Sequence, residues 1–273
     1  MSVTIALSQH AYTPGDKDAN IRRMEEDIER CMNKNVDLIV FPELAATGYF
    51  LSPALHDVAE EKFGPVYERM STAARKGGVY LLYGYVERAS SGDLYNSTVL
   101  LDHNGEFVAH YRKIHLTPPE KEFFKGGEDP VVVQTPIGKI ALMICWDLAF
   151  PEYAAYLSKQ NVELILAPSA WESPYENPFA SFASARAIDT TAYVAACNHT
   201  GDSGRLSFFG QSRVYSPDGT VISEYEQIKD KLVVTTIDYR TIIDWKDRFF
   251  TMNNDRRPEV FERKDSYANQ KNC

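Results

Sequence analysis

Two stretches of this chain nearly repeat each other, NVDLIVFP at 35–42 and NVELILAP at 161–168. A shorter match precedes each, IAL at 5–7 and IAL at 140–142. Val3 to Ser8, Val36 to Phe41 and Ile140 to Ile144 are short, mostly continuous apolar runs, the pattern of strands buried on both faces. Between the first two lies Asp18 to Asn33, where Ile21, Met24, Ile28, Cys31 and Met32 recur at the three- and four-residue steps of a helix. Each half thus runs strand, amphipathic helix, strand, then a proline at the strand end. A unit that recurs in the same order predicts two quasi-equivalent halves. Alternating strands and helices predict an α/β fold with a largely parallel arrangement. Two such halves fit two sheets packed face to face with helices outside, a four-layer αββα sandwich.

The remaining elements follow from turn signals and period. A helix is expected near Pro65 to Lys76 and a strand at Val79 to Val86. Asn96 to Asp102 and Glu106 to Tyr111 pair around the HNG turn. The stretch from Arg112 to Pro130 has charge, proline and glycine without a period and reads as a long functional loop. A helix is expected near Phe182 to Thr191, a strand at Ala192 to Cys197, two strands around SPDG at 216–219, and a last strand at Lys231 to Ile237. No linker or low-complexity segment interrupts the 273 residues, so they read as one domain, with 238–273 a polar and aromatic C-terminal arm.

Composition narrows the partners. A formal net charge of −9, with no block of like charge, argues against nucleic acid or an anionic membrane. The four cysteines, at 31, 145, 197 and 273, form no C-x-x-C pair and do not suit a disulfide framework or a zinc site. MSVTIALSQH lacks the basic start and apolar core of a signal peptide. No apolar run reaches the roughly 18 residues of a spanning helix. The expectation is a cytoplasmic protein acting on a small molecule.

Three segments carry chemistry. Cys145 stands where the run Ile140 to Ile144 breaks toward a helix that Pro151 is suited to start. That is the carboxyl edge of the sheet, where α/β proteins place their sites, and it lies near backbone N–H groups able to hold an oxyanion. A core cysteine would occupy a similar position, so the partners decide. Glu43 ends the strand VDLIVFP, where partial burial raises a carboxyl toward the range of a general base; a dipole-favoured glutamate at a helix start is the plainer account. Lys113, in HYRKIHL, is placed to hold a carboxylate and an oxyanion, whereas most lysines at strand ends are solvated. Its neighbour Arg112 reads as a surface charge. Glu120, in the loop after Lys113, can orient an amide N–H, with Glu122 its rival. The serine motif GDSG at 201–204 has Arg205 where a protease has glycine, and no G-x-S-x-G elbow occurs. His110 and His115 lack a metal-ligand spacing and read as structural.

Taken together these segments resemble the nitrilase superfamily of carbon–nitrogen hydrolases, over nearly the whole chain. The resemblance rests on FPELAATGY at 41–49, YRKIHL at 111–116, ICWDLAFPE at 144–152 and FFGQSRVYSPDG at 208–219. It implies that Glu43 is the base, Lys113 the cation that stabilises the intermediate, Cys145 the nucleophile, and Glu120 a second glutamate beside them. It also implies the αββα fold, a homodimer or higher homo-oligomer, and hydrolysis through a thioester without metal or organic cofactor. The Cys-Trp-Asp turn is closer to the Cys-Tyr-Asp of many amidases than to the Cys-Trp-Glu of nitrilases. Asp147 to Phe150 has no arginine to hold a substrate carboxylate. A small neutral or amine-bearing aliphatic amide is therefore the expected substrate, with N-carbamoyl amines, nitriles or a non-catalytic binding module as alternatives. Tyr49, Trp146, Phe150 and Trp171 adjoin the site segments and are the expected apolar walls. Glu172 is the candidate partner for a cationic substrate end.

Overall fold

The structure, a computed structural model, describes residues 1–32, 34–204, 206–223 and 231–261. The first half comprises β1 (Ser2–Gln9), α1 (Lys17–Met32), β2 (Leu38–Val40), α2 (Leu55–Val58), α3 (Pro65–Gly77), β3 (Tyr80–Arg88), β4 (Leu94–Leu101) and β5 (Phe107–Arg112). The second comprises β6 (Val131–Thr135), β7 (Gly138–Leu142), α4 (Pro151–Lys159), β8 (Leu164–Ser169), α5 (Glu176–Thr190) and β9 (Tyr193–Asn198). A small hairpin, β10 (Thr200–Ser203) and β11 (Leu206–Phe209), is followed by β12 (Arg213–Tyr215) and β13 (Lys231–Asp238). Three helices close the described chain, α6 (Arg240–Arg248), α7 (Met252–Asp255) and α8 (Pro258–Phe261).

Two larger sheets form, in the strand orders β13-β1-β2-β3-β4-β5 and β12-β9-β8-β7-β6. Side-chain alternation then stacks the layers. Ile5, Leu7, Leu38, Val40 and Leu82 of the first sheet pack with Ile140, Leu142, Leu164 and Leu166 of the second. The alternate residues Ala6, Ile39, Leu81 and Tyr83 pack instead on Ile21, Met24 and Ile28 of α1 and Val66 and Met70 of α3. Tyr153, Leu157, Phe179 and Ala183 bring α4 and α5 onto the second sheet. The result is the expected αββα sandwich. A fully buried Ile or Leu contributes about 2 kcal/mol, so the repeated strands supply much of the driving force.

The repeat is structural. Ile5 pairs with Leu38 in one half and Ile140 with Leu164 in the other, both parallel. Asp37 accepts a hydrogen bond from the Thr4 N–H at 2.8 Å, and Glu163 accepts one from Lys139 at 2.8 Å. Asn35 and Asn161 both hold positive φ, 49° and 52°, a conformation that asparagine tolerates better than most residues. An antiparallel strand flanks the first parallel strand of each half, but β6 comes before β7 in the chain whereas β13 returns to β1 from the far end.

Other expectations are corrected. The long loop begins after Arg112, contains a 3-10 turn at Glu120–Glu122, and is followed by β6, which no alternation announced. α5 starts at Glu176 rather than near Phe182, because its Ala- and Ser-rich face carries little apolar contrast. Among the described residues, the strands expected around SPDG are represented by β12 and a bridge from Tyr215 to Val221, and residues 224–230 lie outside them. The C-terminal arm is helical from Arg240, and its residues 262–273, Cys273 among them, lie outside the described residues. No helix among the described residues is long and apolar enough to cross a membrane.

Candidate active site

The site forms beyond the ends of β2 in the first half and β7 in the second, the second strand of one repeat and the first strand of the other. Past β2 the chain turns at Glu43 and Leu44, and Leu44 adopts φ 51°. That turn presses against β3 at Gly84, where a Cβ would stand 2.6 Å from the Leu44 nitrogen, so only glycine lets the two backbones meet. The Glu43 N–H points across to the Ser169 carbonyl at 3.4 Å, the end of β8 in the other half. Past β7 the chain breaks into a 3-10 turn, Cys145–Ala149, and Cys145 itself holds φ 48°. A non-glycine residue in that region is strained, and such strain collects at functional positions.

Asp147 ties the cysteine turn to the lysine segment. Buried, it accepts hydrogen bonds from the Ile144 N–H (2.9 Å), the Tyr111 hydroxyl (2.6 Å) and the His115 N–H (2.9 Å), while His115 Nδ1 lies 2.8 Å away. Tyr111 and His115 bracket Lys113, so this carboxylate sets how Cys145 and Lys113 face one another.

Lys113 is fully buried, a rare state for lysine that demands pairing. Its Nζ donates to Glu43 Oε1 at 2.6 Å and to Glu120 Oε1 at 2.8 Å. Asn96 Nδ2 donates to the same two oxygens, at 2.7 and 3.2 Å, and the Tyr49 hydroxyl donates to Glu120 Oε1 at 3.3 Å. Glu120 Oε2 accepts from the Thr117 N–H (2.9 Å) and hydroxyl (3.0 Å). Glu43 Oε2, by contrast, is buried with no hydrogen-bond partner among the described residues.

The charges sort by environment. Burial pushes the Glu43 carboxyl up, to about 7, with Glu120 adding to the rise and Lys113 opposing it. Burial acts upward on Glu120 too, but Lys113 and the Thr117 bonds outweigh it and hold the carboxyl below its ordinary range. Burial works against the Lys113 ammonium, yet Glu120 and Glu43 keep it firmly protonated. Burial, then the Glu43 charge, raise the Cys145 thiol well above its ordinary value. The resting site therefore holds a thiol, an ammonium, a carboxylate at Glu120, and a carboxyl at Glu43 poised near neutrality, the arrangement of a general base beside a nucleophile.

The aromatics expected to wall the site pack against one another, and two more join them. Trp146 lies 5.6 Å from Trp171 and 6.1 Å from Phe150 between ring centroids. Phe182 joins them, 6.4 Å from Trp146, and Phe150 stacks on His115 at 3.7 Å. Phe208 meets Tyr49 at 5.9 Å. Asn198 pins Trp171 by accepting from its N–H (2.8 Å) and donating to its carbonyl (3.1 Å). Glu172 is half-buried at the edge of this wall.

Several supporting residues escape a reading of the chain alone: Asn96, Asp147, Asn198 and His199. The His199 ring, kept neutral by burial with its value lowered to about 4, donates from Nε2 to the Glu43 carbonyl at 2.6 Å. Polar residues inside apolar strands, such as Asn96 in LYNSTVLL, are the one signal that marks them. Arg112 needs correction. It is no free surface charge but grips buried Glu87 through Nε (3.0 Å) and a terminal nitrogen (2.5 Å) and stacks on Tyr95 at 3.8 Å. His110 joins the same carboxylate at 2.8 Å, and Ser203 of GDSG sits in β10, donating to the Tyr49 carbonyl at 3.4 Å.

A family model described as carbon-nitrogen hydrolase matches residues 4–247. A probable nitrilase from Schizosaccharomyces pombe is 33% identical over 268 residues, covering 96% of this chain and 98% of that protein. A 2-oxoglutaramate amidase from Bacillus subtilis is 30% identical over 226 residues, covering 82% and 86%. Among solved structures, a variant of the amidase from Nesterenkonia sp. AN1 superposes with a TM-score of 0.84 at 27% identity, over 95% of each chain. That structure shows covalent addition of the acetamide moiety of fluoroacetamide at its active-site cysteine.

Proposed function

The chain belongs to the carbon-nitrogen hydrolase family, and on that premise we propose that it hydrolyses a small aliphatic amide to a carboxylic acid and ammonia through a thioester on Cys145. One observation carries the reading: a buried ammonium held between two carboxylates, one of which keeps an unpaired oxygen and a raised pKa beside a thiol. Glu43 takes the thiol proton as the sulfur attacks the amide carbon. Lys113 and the Trp146 N–H, at the open start of the 3-10 turn, hold the oxyanion. Glu43 returns the proton to the departing nitrogen, and ammonia leaves. Glu43 then activates water to cleave the thioester, which releases the acid and restores the thiol. Glu120, Asn96 and Tyr49 keep Lys113 and Glu43 aligned. Covalent addition of the acetamide moiety of fluoroacetamide at the cysteine of the Nesterenkonia amidase supports a nucleophilic role for Cys145 here.

The test is ammonia release from a panel of amides, N-carbamoyl amines and nitriles. Nitriles are included because the S. pombe relative is named a probable nitrilase. The wild type is expected to act on amides, and Cys145→Ala to lose turnover while keeping its circular dichroism. A folded Cys145→Ala protein with substantial activity removes Cys145 as nucleophile. Absence of release from every compound favours the binding-module alternative.

A cytoplasmic location and a homodimer belong to the same proposal. The three described cysteines are unpaired, in keeping with a reducing compartment. Ile243 and Phe249, on or beside α6, are 58% and 77% exposed, the kind of surface that marks an interface. Light scattering at micromolar concentration is expected to give about twice the 30.9 kDa chain mass.

A further inference from the structure

Resting on the amidase reading above, we propose that Glu172 recognises a positively charged substrate end, so that the preferred substrates are aliphatic amides with a protonated amine remote from the carboxamide. Glu172 lies between two arms of the site. Its own backbone bridges to Phe208, and the next residue, Ser173, donates from its N–H to the Ser207 carbonyl at 2.9 Å. Phe208 packs on Tyr49, whose hydroxyl touches Glu120. On the other side Glu172 follows Trp171, which packs on Trp146, the residue after the nucleophile. Glu172 is thus half-buried where the aromatic wall beside Cys145 meets the Phe208 strand.

Charge decides what end of a substrate this edge accepts. Lys113 is already engaged by Glu43 and Glu120, and it is the cation of the catalytic cluster. Glu172 has no ion-pair partner among the described residues. Burial raises its carboxyl, Glu120 adds to the rise and Lys113 opposes it, so it stands within electrostatic reach of both. The site therefore carries more negative than positive charge. A substrate carboxylate is repelled, a neutral tail meets only the aromatic faces, and an ammonium gains both the carboxylate and those faces. The role is in selecting the substrate, since none of the bond-making steps uses Glu172.

The experiment compares kcat/KM for three length-matched amide series ending in an amine, a methyl group or a carboxylate. The wild type is expected to prefer the amine over the methyl series by at least about tenfold and to act worst on the carboxylate series. Glu172→Gln is expected to reduce the amine-to-methyl ratio about tenfold, and Glu172→Lys to invert the order of the charged series. In the unmutated enzyme the ratio is expected to fall as salt rises, which tests the idea without any variant. Amide hydrolysis with no amine preference, or a ratio unmoved by Glu172→Gln, overturns the role of Glu172 and leaves the amidase reading standing. Failure to hydrolyse any of the three series overturns the amidase reading itself.

Discussion

Lys113 concentrates the proposed chemistry in one atom. Its Nζ meets Glu43 and Glu120 at 2.6 and 2.8 Å, inside a fully buried pocket, so any replacement must put a compact cation at that point. A guanidinium is larger, planar and donates in a fork. Lys113→Arg is therefore expected to lose about 10²–10³ in kcat while the protein still folds, the usual loss for a missing oxyanion donor. Near-wild-type turnover would move the oxyanion wholly onto the Trp146 N–H. In the proposed mechanism Glu43 sets the pH dependence. The base must be ionised, so kcat/KM is expected to rise with pH through about 7. Asn96 donates to the Glu43 carboxylate and favours its charged form. Removing that bond with Asn96→Ala is expected to move the acid limb upward by roughly one pH unit. A pH–rate profile of both proteins checks this, and an unmoved limb would assign it to another group. Glu43, Lys113 and Cys145 were marked as candidates by distinctive local runs and Glu120 by the resemblance, and the structure brings Lys113 onto both glutamates. Asn96, Asp147 and His199 were not marked, because their roles exist only once distant strands meet.

At the level of strands and turns, the two halves explain which parts of the fold were visible beforehand. Wherever a buried parallel strand feeds a helix, both the period and the repeated Asn, acid and proline mark it: β1, α1, β2, β7 and β8 lie close to their expected bounds, and α4 starts at Pro151 as expected. β6 and the start of α5 were hidden for opposite reasons. β6 is a half-buried edge strand that needs β7 to define it, and α5 is Ala-rich and lacks a strong apolar stripe. The 3-10 turn at Glu120 was likewise invisible, since Thr117 and Lys113 hold it rather than any local period. The turns that end the repeated strands carry the residues of the proposed mechanism, and one of them depends on an element outside its own run. Gly84 in β3 leaves room for the Leu44 backbone. Gly84→Ala is expected to displace the Glu43 turn and to cost about 10² in kcat, as ångström-scale misplacement of a catalytic group does. Unchanged kcat in a folded Gly84→Ala protein would show that the turn has slack.

Across the whole molecule, the buried acids set how the sandwich responds to acid. Glu87 is nearly covered and takes hydrogen bonds from Arg112 and Ser97, with His110 beside it. Burial alone would raise its carboxyl, but His110 and Arg112 overcome that and hold it far below the ordinary range. Asp27 and Glu120 are lowered in the same sense, the first chiefly by His10 against its burial, the second by Lys113. A carboxyl lowered by folding stabilises the native state above its unfolded value, about 4.3 for Glu, and loses that contribution as pH falls toward its folded value. Glu43, raised by folding, acts the other way: its contribution is present below the unfolded value and is lost as pH rises through about 7. The three lowered acids outnumber it, so stability is expected to decline below about pH 4. Arg112 offers the clean test, because its side chain is 33% exposed while Glu87 is not. Arg112→Ala leaves Glu87 buried with a partner removed and is expected to cost roughly 3 kcal/mol at neutral pH. Arg112→Lys should lie between, since lysine keeps the charge but neither forks onto Glu87 nor stacks on Tyr95 in the same way. Urea unfolding of the wild type and Arg112→Ala at pH 7 and in steps down to pH 3 decides the matter. The gap between the two proteins is expected to narrow as Glu87 takes up its proton; a gap that stays constant with pH would mean that Arg112 stabilises the fold by packing on Tyr95 rather than by pairing with Glu87.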